Sequence, residues 1–378
     1  MIIGAISRKL AWVSLILLTV VVFGQRAYGQ PAVGVRRLLY VATPGVRDYL
    51  EYGGHGVLVF DIDKGHSFVK RIATRGVDEP GKPLNVKGIC ASAITSRLYV
   101  STIKQLMCIS LDSDEVQWER VYEEGCDRMA ITADGKTIFL PSLEGPIWYV
   151  VDAVDGHVIR TIVTDSGAHN TLCGLAGTKA YLAGLKSPLL RVADAQSETV
   201  ALVGPFSASV RPFTIDGRQR RCYVNVNELL GFEIGDLATG QKLASVTVKG
   251  FEKGPVKRHG CPSHGIALSP DEKEIWLTDS HNRRLHIFDA TVMPPAQVQS
   301  IELRDEPGWV TFTIDGQYAY PSTGEVIETR SRRIVTQLTD ESARQVQSEK
   351  MVEIDFSGPR VVGAGNQFGV GRIREAGK

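Results

Sequence analysis

A motif that recurs about every forty residues constrains the fold of this chain more than any other feature. Its clearest copy spans residues 262–303, where short β-type runs alternate with turn sequences. The four runs are residues 266–269, 274–278, 285–289 and 298–303. Four strands joined by tight connections form one antiparallel meander, which cannot bury both of its faces alone. The meander therefore needs neighbours like itself.

Those neighbours are present in the sequence. The turns Asp134-Gly135, Asp216-Gly217 and Asp315-Gly316 each follow a short apolar run and precede a run that carries an aromatic residue. A period of about forty residues is typical of propeller blades, and the roughly 320 residues between positions 38 and 357 hold seven of them. The sequence predicts an all-β fold, a seven-bladed β-propeller of four-stranded antiparallel blades, and an eighth partial blade is the competing interpretation.

The two ends of the chain together supply the first blade. Residues 37–74 contain three strand-like runs but lack an innermost one, and residues 351–356 read as the missing strand. Pairing these segments would close the ring and leave no open edge. The glycine-rich residues 361–371 do not have the G-x-G-x-x-G spacing of a phosphate loop. In the competing interpretation, they form a further strand pair and hence a partial eighth blade.

Residues 1–29 have the pattern of a secretory signal peptide. Arg8 and Lys9 precede an apolar run over residues 10–24, and small residues flank a cleavage point before Gln30. An uncleaved membrane anchor is the alternative, but a membrane span needs about twenty apolar residues. We therefore expect a signal peptide at 1–29 and one propeller domain at 30–378. The expected mature protein is a periplasmic or secreted monomer that does not stay inserted in a membrane.

Charge and cysteine content exclude several classes of protein. The chain has 43 basic and 42 acidic residues, and residues 1–29 contain three basic and no acidic ones, so the mature chain has formal charge −2. That balance gives no support for nucleic-acid binding. The six cysteines include no C-x-x-C pair that would indicate a zinc knuckle. Cys90 and Cys108 fall two strand spacings apart, beyond disulfide reach, so we expect all six cysteines to be unpaired.

Two repeat motifs carry a resemblance to a known family. They are Ser-Pro-Asp-Glu-Lys at 269–273 with Ile-Trp-Leu-Thr-Asp at 275–279, and Ala-Asp-Gly-Lys at 133–136 with Ile-Phe-Leu-Pro at 138–141. The chain resembles the YVTN-type bacterial β-propellers, which are similar in architecture to lactonase-like propellers and, more distantly, to WD-repeat proteins. The resemblance covers essentially all of the mature chain and implies the fold but not the function. Insertions at 44–54 and 249–264 depart from the family pattern.

The family geometry places the loops that enter each inner strand at one mouth of the central channel. When the first-turn motifs are aligned, one slot at this mouth holds Asp127, His169, Ser209, His264, Gly308 and Lys350. The next slot holds Arg128, Asn170 and Trp309, and the same loops bring Lys87, Arg211, His259 and Glu349. The predicted ligand-binding residues at the channel mouth are Lys87, Asp127, Arg128, His169, Arg211, His259, His264 and Lys350.

Two functions fit these residues. The first is a binding or scaffold protein that holds a small anionic ligand, or an acidic loop of a protein partner, among the basic residues of the mouth. The alternative is a lactonase-like, metal-assisted hydrolase in which His169, His264 and Asp127 hold a divalent cation and one histidine acts as general base. The mouth is richer in Lys, Arg and His than in acids, which favours binding without a cofactor. The histidines could also serve only to tie neighbouring blades together.

Overall fold

The structure is a computed structural model that describes Met1 and residues 34–74, 81–196 and 200–374. The predicted signal peptide lies outside the described residues, apart from Met1. Among the residues described, no helix is both long enough and apolar enough to cross a bilayer.

The described residues form seven antiparallel sheets arranged as the blades of a propeller. Blade one contains five strands and each of the other six contains four. Blades one to three comprise β1 (Val35–Thr43), β2 (Gly56–Asp61), β3 (Ser67–Ile72), β4 (Val86–Ser92), β5 (Arg97–Thr102), β6 (Gln105–Ser110), β7 (Val116–Val121), β8 (Ala130–Ile131), β9 (Thr137–Pro141), β10 (Ile147–Asp152) and β11 (Val158–Val163). Two short 3-10 helices lie within blade one, Leu50–Tyr52 between β1 and β2 and Ile62–Lys64 between β2 and β3.

Blades four to seven continue in chain order, each from its inner to its outer strand. Their strands are β12 (Ala168–Cys173), β13 (Lys179–Gly184), β14 (Leu190–Asp194), β15 (Ala201–Val203), β16 (Val210–Ile215), β17 (Arg221–Val226), β18 (Gly231–Asp236), β19 (Lys242–Thr247), β20 (Ile266–Leu268), β21 (Glu274–Asp279), β22 (Arg284–Asp289), β23 (Ala296–Glu302), β24 (Val310–Phe312), β25 (Tyr318–Pro321), β26 (Glu325–Glu328) and β27 (Arg333–Gln337). The last two strands, β28 (Met351–Ser357) and β29 (Arg360–Ala364), return to blade one. The predicted seven-bladed propeller is confirmed.

The repeated turn forms because one aspartate organises it. Asp134 accepts hydrogen bonds from Thr132 Oγ1 at 2.6 Å and from the Lys136 backbone N–H at 3.1 Å. Asp271 does the same in blade six, where Ser269 Oγ donates at 2.7 Å. Gly135 has φ +71, a left-handed conformation that favours glycine. The motif that recurs in the sequence is therefore a self-capped turn between the first two strands of a blade.

Large side chains fill the space between neighbouring blades. Trp276 of blade six packs edge-on against Phe312 of blade seven, with ring centroids 5.3 Å apart. Trp148 of blade three is fully buried, and its indole N–H donates to Thr171 Oγ1 of blade four at 2.8 Å. The six cysteines are buried in this interior and free, as expected from their spacing.

Strand β28 closes the ring. It pairs antiparallel with β1 from Val41 opposite Met351 to Val35 opposite Ser357, so the predicted closing strand is confirmed. Strand β29 adds to the inner edge of β28 as a fifth strand. The eighth-blade interpretation is wrong because the glycine-rich segment contributes this one strand to blade one and then enters the channel.

Residues 366–374 run through the central channel along blades five to seven. The Gly369 carbonyl accepts hydrogen bonds from the Leu268 N–H and from Thr214 Oγ1, both at 2.8 Å. The Phe368 ring is buried and packs against Phe213 and Trp309. We call residues 366–374 the channel tail. The tail therefore packs inside the channel against the inner strands of blades five and six.

Candidate functional site

The eight predicted site residues surround one cavity at the channel mouth. The cavity measures about 100 Å³, and we call it the mouth cavity. Its charged and histidine lining is Arg47, Lys87, Asp127, Arg128, Glu144, His169, Arg211, Arg258, His259, His264, Glu349 and Lys350. The predicted convergence of these residues is therefore found, and their binding of a ligand stays a prediction.

The inner strands place these side chains by beginning at the mouth. Lys87, His169 and Arg211 lie in the first two residues of β4, β12 and β16. His264 and Lys350 come just before β20 and β28, and Asp127 and Arg128 come just before β8. Because successive blades are related by rotation about the channel, equivalent positions meet at the axis. This geometry explains why aligning the repeats identified the residues.

Glu349 is the centre of one buried charge cluster. Its Oε2 accepts hydrogen bonds from Arg128 Nη2 at 2.7 Å and from Lys350 Nζ at 2.9 Å, and its Oε1 lies 2.9 Å from His259 Nδ1. Burial acts to raise the pKa of Glu349, but Lys350, His259, His264 and Arg128 outweigh it and hold that pKa well below its usual range. Glu349 is therefore a carboxylate surrounded by cationic donors.

Asp127 forms a second, adjacent cluster. Its Oδ2 lies 2.6 Å from His169 Nδ1, and its Oδ1 lies 3.4 Å from Lys87 Nζ and accepts the Arg128 backbone N–H at 2.9 Å. Burial opposes ionisation, but His169, Lys87 and Arg128 together lower the pKa of Asp127. Burial also lowers the pKa of His169, against the pull of Asp127.

Two arginines in the mouth keep nitrogen atoms without a partner in the described part of the chain. Arg128 stacks 3.6 Å over the Trp309 ring and is paired with Glu349, yet its buried Nη1 has no hydrogen-bond partner. Arg211 donates from Nη2 to the His259 carbonyl at 3.4 Å, and its buried Nε has no partner. A buried donor left unpaired costs about 1–3 kcal/mol, so these two nitrogens are places where a ligand acceptor would stabilise the protein.

Two glycines permit the close packing of the mouth. A Cβ at Gly308 would lie 2.2 Å from His259 Nδ1 and 2.4 Å from Glu349 Oε1. A Cβ at Gly260 would lie 2.1 Å from Arg211 Nη2, and Gly260 has φ +79. Any larger residue at either position would push apart the groups that form the cavity.

Several lining residues were not in the predicted set. Glu349 organises half of the cavity but is absent from the predicted set, although the sequence places its loop near the mouth. Arg47 and Arg258 also line it and belong to the insertions at 44–54 and 249–264. The departure of these insertions from the repeat pattern was the only signal for them. Ser209 shares the slot of His169 but does not line the cavity.

The predicted metal ligands do not form one ligand set. Asp127 and His169 pair with each other, whereas His264 Nδ1 lies 2.8 Å from the Gly308 carbonyl. In the described ranges, a different group, His259, His264 and Glu349, places its ligand atoms within 4.8 Å of one another.

That group fits a divalent cation poorly. Both Glu349 oxygens already accept hydrogen bonds from cationic or histidine donors, and His259 Nε2 lies 3.0 Å from the Glu306 carbonyl. Hard cations need several free oxygen ligands. The positive charges of Arg128 and Lys350 beside Glu349 would also repel a cation. The charges around this group therefore disfavour a hard cation, and the lactonase-like, metal-assisted alternative stays a prediction.

Comparisons with known proteins agree on the fold. No protein-family model matches the chain, and no curated protein matches it. Among solved structures it is similar to the dihydro-heme d1 dehydrogenase NirN in complex with DHE, at TM-score 0.60 and 14% identity over 87% of this chain and 73% of that one. It is also similar to the Cps50 (Swd1) β-propeller domain of Myceliophteria thermophila, at TM-score 0.56 and 11% identity over 73% of this chain and 94% of that one.

A chain of the mitotic checkpoint complex gives TM-score 0.59 and 14% identity over 85% of this chain and 95% of that one. Identities this low show the fold alone. The chain is thus a seven-bladed β-propeller, and its resemblance to the YVTN-type family stays a prediction.

Proposed function

We propose that this protein binds a small anion, of the carboxylate or phosphate class, in the mouth cavity. The observation that carries the proposal is the charge of the lining: six basic residues, Arg47, Lys87, Arg128, Arg211, Arg258 and Lys350, face three acidic ones, Asp127, Glu144 and Glu349. An anion would reduce this excess of positive charge and could accept hydrogen bonds from Arg128 Nη1 and Arg211 Nε.

The size of the cavity favours a small molecule over a protein loop. A volume of about 100 Å³ is enough for a few waters or a small anion. Within the YVTN-type resemblance and the signal-peptide pattern, we propose an extracytoplasmic binding protein, periplasmic or secreted. Support for this location comes from the sequence pattern of residues 1–29 alone.

Arg211 gives the cleanest test because it forms no ion pair with any described carboxylate. Titration calorimetry at low ionic strength with acetate, pyruvate and phosphate should give saturable binding to the wild type. Arg211→Gln removes a charged donor worth about 1.5–3 kcal/mol, so we expect roughly ten- to hundredfold weaker binding.

Arg360→Gln is the matched control, since Arg360 is exposed and pairs opposite Ser357, at the other end of β28 from Lys350. This variant should bind anions like the wild type. Unchanged affinity in Arg211→Gln, or heat from none of the three anions, would contradict the proposal.

A further inference from the structure

We propose that Lys350 is a nucleophilic amine that forms an imine with a small carboxylate bearing an aldehyde or ketone carbonyl, such as a 2-oxo acid. This inference rests on the proposed function, because the anion cavity would hold the carboxylate end of that molecule. Its own basis is the hydrogen bonding and the charge balance around Glu349.

The cluster around Glu349 has more cationic donors than it can neutralise. Arg128, His259 and Lys350 all approach this one carboxylate within 2.9 Å, and all four side chains are buried. Asp127, the neighbouring buried carboxylate, is already shared between Lys87 and His169. Like charges held this close in a dry site repel one another, so the cluster favours release of a proton by one of the three.

Arginine stays protonated at any ordinary pH, so the proton must come from His259 or Lys350. His259 faces an acceptor at each ring nitrogen: Glu349 Oε1 lies 2.9 Å from Nδ1, and the Glu306 carbonyl lies 3.0 Å from Nε2. It can donate to both only as the doubly protonated ring. Losing a proton would therefore cost His259 a buried hydrogen bond.

Lys350 does not have that cost. Its Nζ donates to two acceptors, the Gly45 carbonyl at 2.7 Å and Glu349 Oε2 at 2.9 Å. A neutral amine has two hydrogens, which satisfy both acceptors, and it keeps a lone pair. Lys350 can therefore release its proton without losing either hydrogen bond and become a nucleophile on the cavity lining.

The electrostatics act in the same direction. Burial lowers the pKa of Lys350 to about 7, with Arg128 and Lys87 adding to the shift and Glu349 opposing it. At pH 7 about half of Lys350 is then neutral, against roughly 0.04% of an ordinary exposed lysine. The other lysine of the cavity, Lys87, lies beside Asp127 and has a side chain that is 16% exposed.

The covalent step balances without an oxidant or reductant. The Lys350 nitrogen adds to the carbonyl carbon as the C–N bond forms and the C=O π bond breaks. One amine hydrogen and one proton from solvent then leave with the carbonyl oxygen as water. The iminium nitrogen keeps one hydrogen, and the adjacent Glu349 carboxylate can stabilise its positive charge.

Reductive trapping tests the inference on the intact wild-type chain. The protein is incubated at pH 7 with glyoxylate or pyruvate and sodium cyanoborohydride, which reduces an iminium to a stable amine, and modified lysines are located by peptide mapping. We expect the adduct on Lys350 at least ten times faster than on exposed lysines such as Lys273, whose side chain is 68% exposed. Lys350→Arg should remove this adduct, whereas Lys273→Arg should leave it unchanged.

Calorimetry with lactate, which has no carbonyl, separates the two proposals. Lactate binding together with trapping that shows no preference for Lys350 would overturn the imine inference and leave the anion site standing. Absence of binding by lactate, pyruvate and phosphate alike would overturn the proposed function itself. Because the wild-type mapping needs no variant, the test holds even if Lys350→Arg fails to fold.

Discussion

At the scale of single residues, Glu349 stabilises the fold and limits the charge of the mouth cavity at the same time. Its carboxylate offsets Arg128 and Lys350, which are both buried beside it. A buried ion pair contributes little net stability, but removing one partner leaves an uncompensated charge in a dry environment. The two roles of Glu349 can therefore be separated, because one substitution should change stability and anion affinity in opposite directions.

Glu349→Gln should destabilise the protein and tighten anion binding. The neutral amide leaves Arg128 and Lys350 without a counter-charge, and we expect a loss of about 3–5 kcal/mol in the free energy of unfolding. An added anion can take the place of the carboxylate, so phosphate or pyruvate should bind more tightly and restore part of the lost stability. Thermal and urea unfolding, with and without the anion, measure both effects.

Glu302→Gln is the matched control for that prediction. Glu302 is 68% exposed in its side chain and pairs with Arg284 at the surface, where an ion pair is worth about 0–1 kcal/mol. A Glu349→Gln protein that is as stable as Glu302→Gln would show that the buried cluster does not carry the charge assigned to it.

Anion affinity should fall as pH rises from 6 to 8. Protonated Lys350 attracts the anion, and with its pKa at about 7 that charge is lost on passing through neutral pH. Binding should therefore take up protons, and the loss of one nearby charge should weaken affinity by roughly tenfold. Dissociation constants measured by calorimetry across this range test the sign and the midpoint.

Lys350→Arg is the control for the pH dependence, since its guanidinium stays charged throughout. The variant should show a nearly flat profile over the same range. A wild-type affinity that rises with pH, or an equally steep profile in Lys350→Arg, would exclude Lys350 as the titrating group. The rate of reductive trapping at Lys350 should instead rise with pH over this range, because the reaction needs the neutral amine.

At the scale of structural elements, the channel tail connects the mouth cavity to the body of the ring. Trp309 supports Arg128 with its ring face and donates its indole N–H to the Gln367 carbonyl of the tail. Gln367 in turn donates from Nε2 to the Met129 carbonyl of blade three at 3.1 Å. The tail therefore holds in place the tryptophan on which Arg128 stacks.

At the scale of the whole molecule, the fold was predictable and the centre of the site was not. The turns at Asp134, Asp271 and Asp315 repeat because each aspartate accepts a hydrogen bond from the backbone N–H two residues further on, and a local pattern of this kind is visible in sequence. Each inner strand begins a similar number of residues before its turn. Aligning the turns therefore placed Asp127, His169 and Lys350 at the mouth.

The remaining features depend on the paths of loops and of the chain end. Arg47 and Arg258 reach the cavity from insertions that have no counterpart in the other repeats. The role of Glu349 depends on the approach of three side chains from different blades and loops, and the path of the tail depends on contacts with Thr214 and Leu268. Such long-range contacts leave no periodic signal in the sequence.

Ring closure is the property of the whole molecule that two truncations can test against each other. Deleting residues 366–378 removes the channel tail but keeps β28 and β29. Because Phe368 and Val370 are buried, each is worth about 1.5–3 kcal/mol, so the protein should fold but melt at a lower temperature. Deleting residues 346–378 also removes the partner of β1 and the buried Val352 and Ile354, and exposes an unpaired edge.

We expect this longer deletion to abolish cooperative unfolding, because blade one would lose its two inner strands and the ring would lose the strand pairing between β28 and β1. Circular dichroism at near- and far-ultraviolet wavelengths follows both variants during heating. If the longer truncation melts at the wild-type temperature, β28 does not hold the ring together. Equal decreases in melting temperature in both variants would instead show that the tail provides the stability.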